Sequence, residues 1–390
     1  MKKSIVALLL MVVLVGLGER MAERFLPIYL MALGGGAMTI GLLGGVTNLI
    51  SALYSFPGGY LSDRLGNKRA LLVFNLISLV GYAIVVIFPY WQAVIIGAFF
   101  FLAWSAISLP ATMSLVSDVL PQNKRTMGVT LHSLVRRVPM ALGPIFGGVL
   151  IGLYGEKDGV RLAFAGAFGL GIVSIILQQK MIIATPARGR AEKRPSRLWQ
   201  YMSPALRNLL ISDILIRFAE QIPYAFVVVW CIKYNGITAA QFGVLTAIEM
   251  ATAVAVYLPV AYLADRSTKK PFVVITFFNF TLFPLLIFFS HSFWMMVAAF
   301  VVRGLKEFGE PTRKALIMDL APEDKKAGMF GLYYLVRDVI VSVAAFGGAF
   351  LWEVSPEVNF LAAFSCGLAG TIYFWMFGKD LQGTTSVDRG

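Results

Sequence analysis

Apolar runs of roughly 20 residues recur along the whole chain, joined by connections that are mostly only a few residues long. They fall at about 4–33, 38–61, 70–89, 92–117, 126–154 and 160–184, then at about 206–233, 239–263, 271–290, 292–318, 327–352 and 358–377. About 20 apolar residues are what a helix needs to cross the hydrocarbon core of a bilayer. In that solvent each span must satisfy its own backbone hydrogen bonds, which favours helices. The chain is therefore expected to be an all-α integral membrane protein with twelve transmembrane helices in two six-helix bundles. Its 14% of charged residues fits this, since soluble domains carry about a quarter. The first run passes through a charged stretch, Glu19 to Arg24, and resumes at Phe25 with no small-residue cleavage site. That pattern reads as a span, not a signal peptide.

Residues 1–184 are expected to form the N-terminal six-helix bundle and 206–378 the C-terminal one. Between them, 185–205 reads as a basic cytoplasmic linker, and 379–390 as a cytoplasmic tail. The formal charge of +13 is not a nucleic-acid footprint, because the basic residues occupy every second loop. Arg64, Lys68 and Arg69, then Lys124 and Arg125, the linker arginines, Arg266 with Lys269 and Lys270, and Lys325 with Lys326 alternate with loops poor in Lys and Arg. This is the positive-inside pattern. It places both termini in the cytoplasm of a cell carrying the protein in its plasma or inner membrane. Cys231 and Cys366 lie in apolar runs with no disulfide framework and no metal-ligand spacing, so no metal or cofactor is expected.

The two halves repeat each other. Leu134-Val135-Arg136 matches Leu335-Val336-Arg337 at an offset of 201, which also carries Asp118 to Asp319 and Gly147 to Gly348. An offset of 202 carries Gly41, Pro57, Asp63 and Arg64 to Gly243, Pro259, Asp265 and Arg266, and Ala22-Glu23 answers Ala219-Glu220 at 197. Parallel repeats about an axis along the membrane normal are expected.

The loop after the second span reads Gly59-Tyr60-Leu61-Ser62-Asp63-Arg64-Leu65-Gly66-Asn67-Lys68-Arg69, with a degenerate copy around Asp265 and Arg266. It resembles the signature loop of the major facilitator superfamily at the place where that family carries it. With the repeat and the helix count, the resemblance covers essentially the whole chain. It implies alternating access, with Gly59, Asp63, Arg64, Gly66, Lys68, Asp118, Asp265, Arg266 and Asp319 as a conformational latch. Within it, Asp118 and Asp319 are the expected partners of Arg64 and Arg266. It also implies a cavity lined by spans 1, 4, 7 and 10, and a monomer. In the fifth span, Gly143, Pro144, Gly147 and Gly148 resemble the helix-packing motif of the family's antiporters, with Pro139 replacing the first glycine, and lean toward export. The arginine that many drug-exporting relatives carry in span 4 is absent from Phe99 to Ser105, while Arg303 stands in span 10.

Ionisable groups in mid-span are costly and default to functional hypotheses. Glu19, Arg20, Glu23 and Arg24 share one side of span 1, and Asp213, Arg217 and Glu220 form a stripe on span 7. His132, Arg136 and Arg137 lie in span 5, Glu249 in span 8, and Arg337 with Asp338 in span 11. Arg303, Lys306, Glu307, Glu310, Arg313 and Lys314 are expected on one side of span 10. Glu23 and Glu220, with Asp213 and Glu310, are the expected proton-carrying carboxylates. Arg20, Arg136, Arg217, Arg303 and Arg337, with Glu307, are the expected substrate ligands. The competing reading makes all of them buried ion pairs that fix helix register. His132 is expected to hydrogen-bond within this cluster. Eight deep cations face eight deep carboxylates, so the sign of the cargo stays open.

The chain is thus expected to be a secondary transporter of a small organic solute, by proton-coupled export. Uptake or uniport of an organic anion, or flipping of a lysolipid-like amphiphile, remain alternatives. The sequence carries no P-loop, metal cluster or nucleophile elbow, which argues against an ATP-driven pump and an enzyme.

Overall fold

A computed structural model describes residues 2–101, 125–182, 199–264, 268–322 and 326–379. The described chain is helical: α1 (Lys2–Glu23), α2 (Leu26–Ala32), α3 (Ala37–Leu65), α4 (Asn67–Ile87), α5 (Trp91–Phe101) and α6 (Arg125–Met181), then α7 (Pro204–Tyr224) and α8 (Phe226–Val229). There follow a π-helical turn (Trp230–Tyr234), α9 (Ala239–Ala264), α10 (Lys270–Phe289), α11 (Phe293–Leu305), α12 (Glu310–Leu320), α13 (Lys326–Val354) and α14 (Pro356–Phe377). These elements map onto the twelve expected spans. The long α6 supplies two of them, because Gly155 adopts φ 79° and ψ 172° and turns the chain between its arms. A positive φ of this kind favours glycine, which has no Cβ to clash.

Three spans expected to be continuous are interrupted. The first breaks between Glu23 and Leu26, the seventh at Ala225, and the tenth over Lys306 to Gly309. Prolines explain where. Pro27 and Pro311 each fall in the first turn of the new segment, where a missing N–H costs nothing. In a continuous helix each ring would clash with the carbonyl four residues back, at Glu23 and Glu307 respectively. Pro223 closes α7 one residue before its C-terminus. The residues of span 10 expected on one side are consequently split between α11, the break and α12.

Close approaches of glycine define the assembly and display its pseudo-symmetry. A Cβ on Gly147 would strike the carbonyl of Met21, and one on Gly348 would strike the carbonyl of Ile222. Both members of the second contact lie 201 residues beyond those of the first. Between the halves, Gly41 packs on Phe346 and Ala349 of α13, while Gly243 of α9 packs on Pro144 and Ile145 of α6. These again are equivalent positions. So α3 lies against α13 and the first arm of α6 against α9, joining the halves through two matched helix pairs. Small residues permit this because apolar side chains gain little from leaving lipid, and association relies on backbone proximity.

At the end carrying Gly34 and Asn235, one hydrophobic core runs through both halves, with Tyr29, Leu30, Ile40, Phe226, Trp230 and Phe242 all buried. Phe25 and Phe242 meet edge-on across the halves at 5.8 Å. At the other end the described core residues separate. Met11, Val15, Phe74 and Ile182 form a cluster within the first half, and Leu206, Leu209, Leu316 and Met329 one within the second. Outward faces carry bare apolar side chains such as Ile96, Val343, Phe278 and Trp375, in the manner of a lipid-facing surface. Buried amides tie spans within a half, as where Asn75 donates to Gln178 at 2.7 Å and Asn359 to the Gly348 carbonyl at 2.7 Å.

Candidate functional site

Between the halves, below the shared core, lies a cavity of about 380 Å³, within the size range of small-molecule sites. The breaks in the first, seventh and tenth spans open onto it. Arg20, Glu23, Arg24, Leu26 and Pro27 come from the first span, and Arg217, Glu220, Gln221, Tyr224, Val227 and Val228 from the seventh. Arg303, Lys306 and Glu307 come from the tenth, Leu43, Thr47 and Asn48 from α3, Met140 from α6, and Phe242, Glu249 and Met250 from α9. The inner part of the fourth span lies outside the described residues.

The charges pair in a chain. Arg20 reaches Glu23 at 2.6 Å, and Arg217 reaches Glu220 at 2.7 Å, each along its own helix at spacing i,i+3. Lys306 bridges Glu220 at 2.8 Å and Glu249 at 3.4 Å, and Arg303 holds Glu249 at 3.2 Å. Glu249 is only 1% exposed, yet neither of its oxygens accepts an aligned hydrogen bond. Polar contacts that cross between the halves at the cavity include Arg137 to Glu307 at 3.0 Å and Asn48 donating to Gln221 at 3.0 Å. Arg24 packs over the Tyr224 ring at 5.2 Å, with the Arg303 guanidinium 5.5 Å from the same ring. Among the described residues lining the cavity are five cations, Arg20, Arg24, Arg217, Arg303 and Lys306, against four carboxylates, Glu23, Glu220, Glu249 and Glu307.

Asp213, Glu310 and Arg337 are not in this lining. They belong to a second cluster packed inside the C-terminal half. Asp213, with no exposed surface, bonds Arg313 and lies 3.4 Å from Arg337 and 3.8 Å from Arg217, and the Tyr333 hydroxyl donates to it at 3.0 Å. Glu310 takes Arg313 at 2.8 Å, Lys314 at 3.4 Å and Arg217 at 3.5 Å. Arg337 also pairs with Asp338 at 2.7 Å. Arg217 touches both clusters. Arg136 lines a separate small recess with Glu19, Arg20 and Pro139. The even count of eight and eight spans all the deep positions of the sequence, whereas the described cavity lining holds an unequal subset of them. Sequence reasoning did not place Arg24, Lys306, Glu249 and Tyr224 in the site. For Glu249, a lone acid in an apolar span was the available signal.

For the latch, Asp118, Asp265 and Arg266 lie outside the described residues, as do the side chains of Asp63, Arg64 and His132, and Gly59 is seen only as backbone within α3. Asp319 is engaged by Lys269. Gly66 turns the chain at φ 80° ahead of α4, and Lys68 donates to the Gln179 carbonyl at 2.8 Å. In the helix-packing motif, a Cβ on Gly143 would come 2.6 Å from Arg20 Cβ, Gly147 abuts Met21, Gly148 abuts the Ala239 carbonyl, and the Pro144 carbonyl meets Gly243. Among the described residues no group of His, Cys, Asp and Glu could hold a metal ion.

A profile of the Major Facilitator Superfamily matches residues 8–219 and 209–388, and the chain belongs to that family. It is 21% identical over 355 residues to an uncharacterised MFS-type transporter of Methanocaldococcus jannaschii, covering 88% of this chain and 87% of the other. It is 25% identical over 227 residues to the quinolone resistance protein NorA of Staphylococcus aureus, covering 56% and 57% of the two chains. Among solved structures, the nucleoside transporter NupG superposes with a TM-score of 0.81 at 12% identity, covering 96% of this chain and all of the other. A POT family transporter bound to 5-aminolevulinic acid gives 0.78 at 14% identity, covering 95% and 96%. The protein is a multi-pass membrane transporter and not an enzyme.

Proposed function

We propose that the protein is a proton-coupled secondary transporter that exports a small organic solute by rocking its two halves about the central cavity. The observation that carries this reading is the cavity itself, where carboxylates of both halves sit in exchangeable ion pairs. Glu220 shares two cations, Arg217 and Lys306, and Lys306 is shared in turn with Glu249. Rocking the halves parts Arg137 from Glu307, an ion pair that crosses between them, and small shifts among the seventh, eighth and tenth spans hand Lys306 from Glu220 to Glu249. A carboxylate that loses its cation in an apolar cavity gains proton affinity, and one that regains it releases the proton. Such an exchange is what coupling needs. The fused core at one end and the separate cores at the other fit a state open toward the cytoplasm under the orientation that the loop charges suggest. The likeness to NorA supports export. Uptake or uniport of an organic anion is the second reading, and the surplus cation in the lining favours it.

The test uses inverted proteoliposomes, acid inside, with a fluorescent fluoroquinolone as probe. Accumulation that collapses with a protonophore and is lost in Glu220→Gln or Glu23→Gln supports coupled export. Accumulation indifferent to the gradient moves uniport ahead.

A further inference from the structure

Among the described lining residues cations outnumber carboxylates, and the residue that unbalances the count is identifiable. Each lining carboxylate already has a cation: Glu23 has Arg20, Glu220 has Arg217 and Lys306, Glu249 has Arg303 and Lys306, and Glu307 has Arg137. Arg24 is left over. Among the described residues no carboxylate lies within ion-pair distance of it: Glu249, Glu23 and Glu220 act on it only from farther off, and its direct contact is the ring of Tyr224, 5.2 Å from the guanidinium carbon. A ring face steadies a cation but leaves its hydrogen-bond donors unused. A partly buried guanidinium with no carboxylate in direct contact has donors that a ligand can satisfy, and ionisable groups at such depth are costly to leave unpaired. Arg24 is the first residue of the first-span break, between the end of α1 at Glu23 and the segment that Leu26 and Pro27 start, and it lines the cavity.

The surroundings define what would complete it. Arg303, from the other half, approaches the same Tyr224 ring at 5.5 Å, so an acidic group on Arg24 would lie where the halves meet. Toward the shared core the lining carries Leu26, Val228 and Phe242, with Met250 beside Glu249. A guanidinium fork matches a carboxylate or another planar oxyanion in bidentate fashion.

We propose that the cavity takes an amphipathic organic anion, its acidic head on Arg24 beside Tyr224 and its apolar body against the wall toward the sealed end. The inference rests on the cavity being the cargo site. It extends that reading to a ligand class that charge balance in the sequence leaves open. A zwitterion qualifies if its ammonium reaches one of the lining carboxylates.

The experiment is binding to the purified protein in detergent, followed by ligand-induced thermal stabilisation, with three probes of one shape: 1-naphthaleneacetate, 1-naphthaleneethanol and 1-naphthylmethylamine. Wild type should bind the carboxylate at least tenfold more tightly than the alcohol or the amine. Arg24→Gln should erase that preference while leaving the alcohol unchanged. Arg24→Lys should keep the preference in weakened form, several-fold below wild type, because an ammonium cannot bind both oxygens in a fork. Equal binding of the amine or the alcohol by wild type, or no binding of any of the three, overturns the proposal. So does an undiminished preference in folded Arg24→Gln. Should that variant fail to fold, unchanged carboxylate affinity in Arg24→Lys overturns it instead. Proton coupling is read separately in vesicles. Failure there would leave this anion site standing, and loss of the anion preference would leave a coupled transporter with a different cargo.

Discussion

At the residue scale, the molecule holds two kinds of buried carboxylate, and their surroundings separate them. Asp213 is sealed among Arg313, Arg337 and Arg217, with a tyrosine hydroxyl donating to the same oxygen that Arg313 takes. Glu220 faces a cavity where its cations are shared with neighbours. Removing one partner of a buried ion pair leaves uncompensated charge, a loss of about 3–5 kcal/mol. Asp213→Asn, nearly the same shape, is thus expected to lower thermal stability in detergent by about that much, well beyond the loss from Glu220→Gln. Equal losses would mean that both carboxylates serve the same role. The sequence shows which residues are charged in mid-span, and the periodicity of 3.6 shows which share a helix face. It does not show pairing, because Asp213 and Arg313, or Glu220 and Lys306, stand far apart along the chain. That is why Asp213, Glu310 and Arg337 read as cavity groups from sequence, and Arg24, Glu249 and Lys306 did not.

At the element scale, proline and glycine carry the information, but only in context. Pro139 and Pro144 lie within α6, which continues through them, whereas Pro27 and Pro311 start new segments. The same residue type kinks one helix and divides another, so the number of spans was legible and their interruptions were not. What decides is whether a neighbour or the cavity can satisfy the freed backbone. In the tenth span the Gly309 N–H finds Thr276 Oγ1 of α10 at 2.5 Å. Glycines divide in the same way. Gly148 lies against the Ala239 carbonyl of the other half, while a Cβ on Gly152, one turn on, meets nothing within 4 Å. Gly148→Val is therefore expected to wedge the α6–α9 contact apart, with lower thermal stability and lost transport. Gly152→Ala should be neutral or stabilising by up to about 1 kcal/mol, the helix preference of alanine over glycine. Thermal unfolding and transport of the two variants side by side check this; a benign Gly148→Val would show that the halves do not depend on that approach.

At the scale of the whole molecule, the internal repeat was legible because charged and loop residues recur at a fixed offset, and the matched glycine contacts are its physical form. One register differs. By sequence Glu23 answers Glu220 at 197, yet packing sets Met21 opposite Ile222 at 201. The Arg217–Glu220 pair therefore lies one helical turn, about 6 Å along the axis, nearer the N-terminal end of its helix than Arg20–Glu23. That shift lets Arg217 serve both the cavity and the Asp213 cluster, and it breaks the symmetry of the two halves where an exchange of partners would be useful. The sealed end has its own tie between halves: Lys233 donates to both oxygens of Glu156, at 2.6 and 2.7 Å, in a partly exposed position. Exposed pairs are worth about 0.2–1 kcal/mol, so reversing one charge can change the population of a state open at this end by only about fivefold. That range is small enough to leave the fold intact and large enough to measure. Val227 lines the cavity just beneath this end and is 1% exposed. In a Cys231→Ser, Cys366→Ser background, Val227→Cys is expected to react slowly with an impermeant maleimide added outside right-side-out vesicles. Adding Lys233→Glu should speed labelling up to about fivefold, the limit set by the worth of the pair, and adding Glu156→Lys to that variant should restore the slow rate. Labelling unchanged by Lys233→Glu would mean that the apolar core alone, Phe25 against Phe242 and its neighbours, holds this end closed.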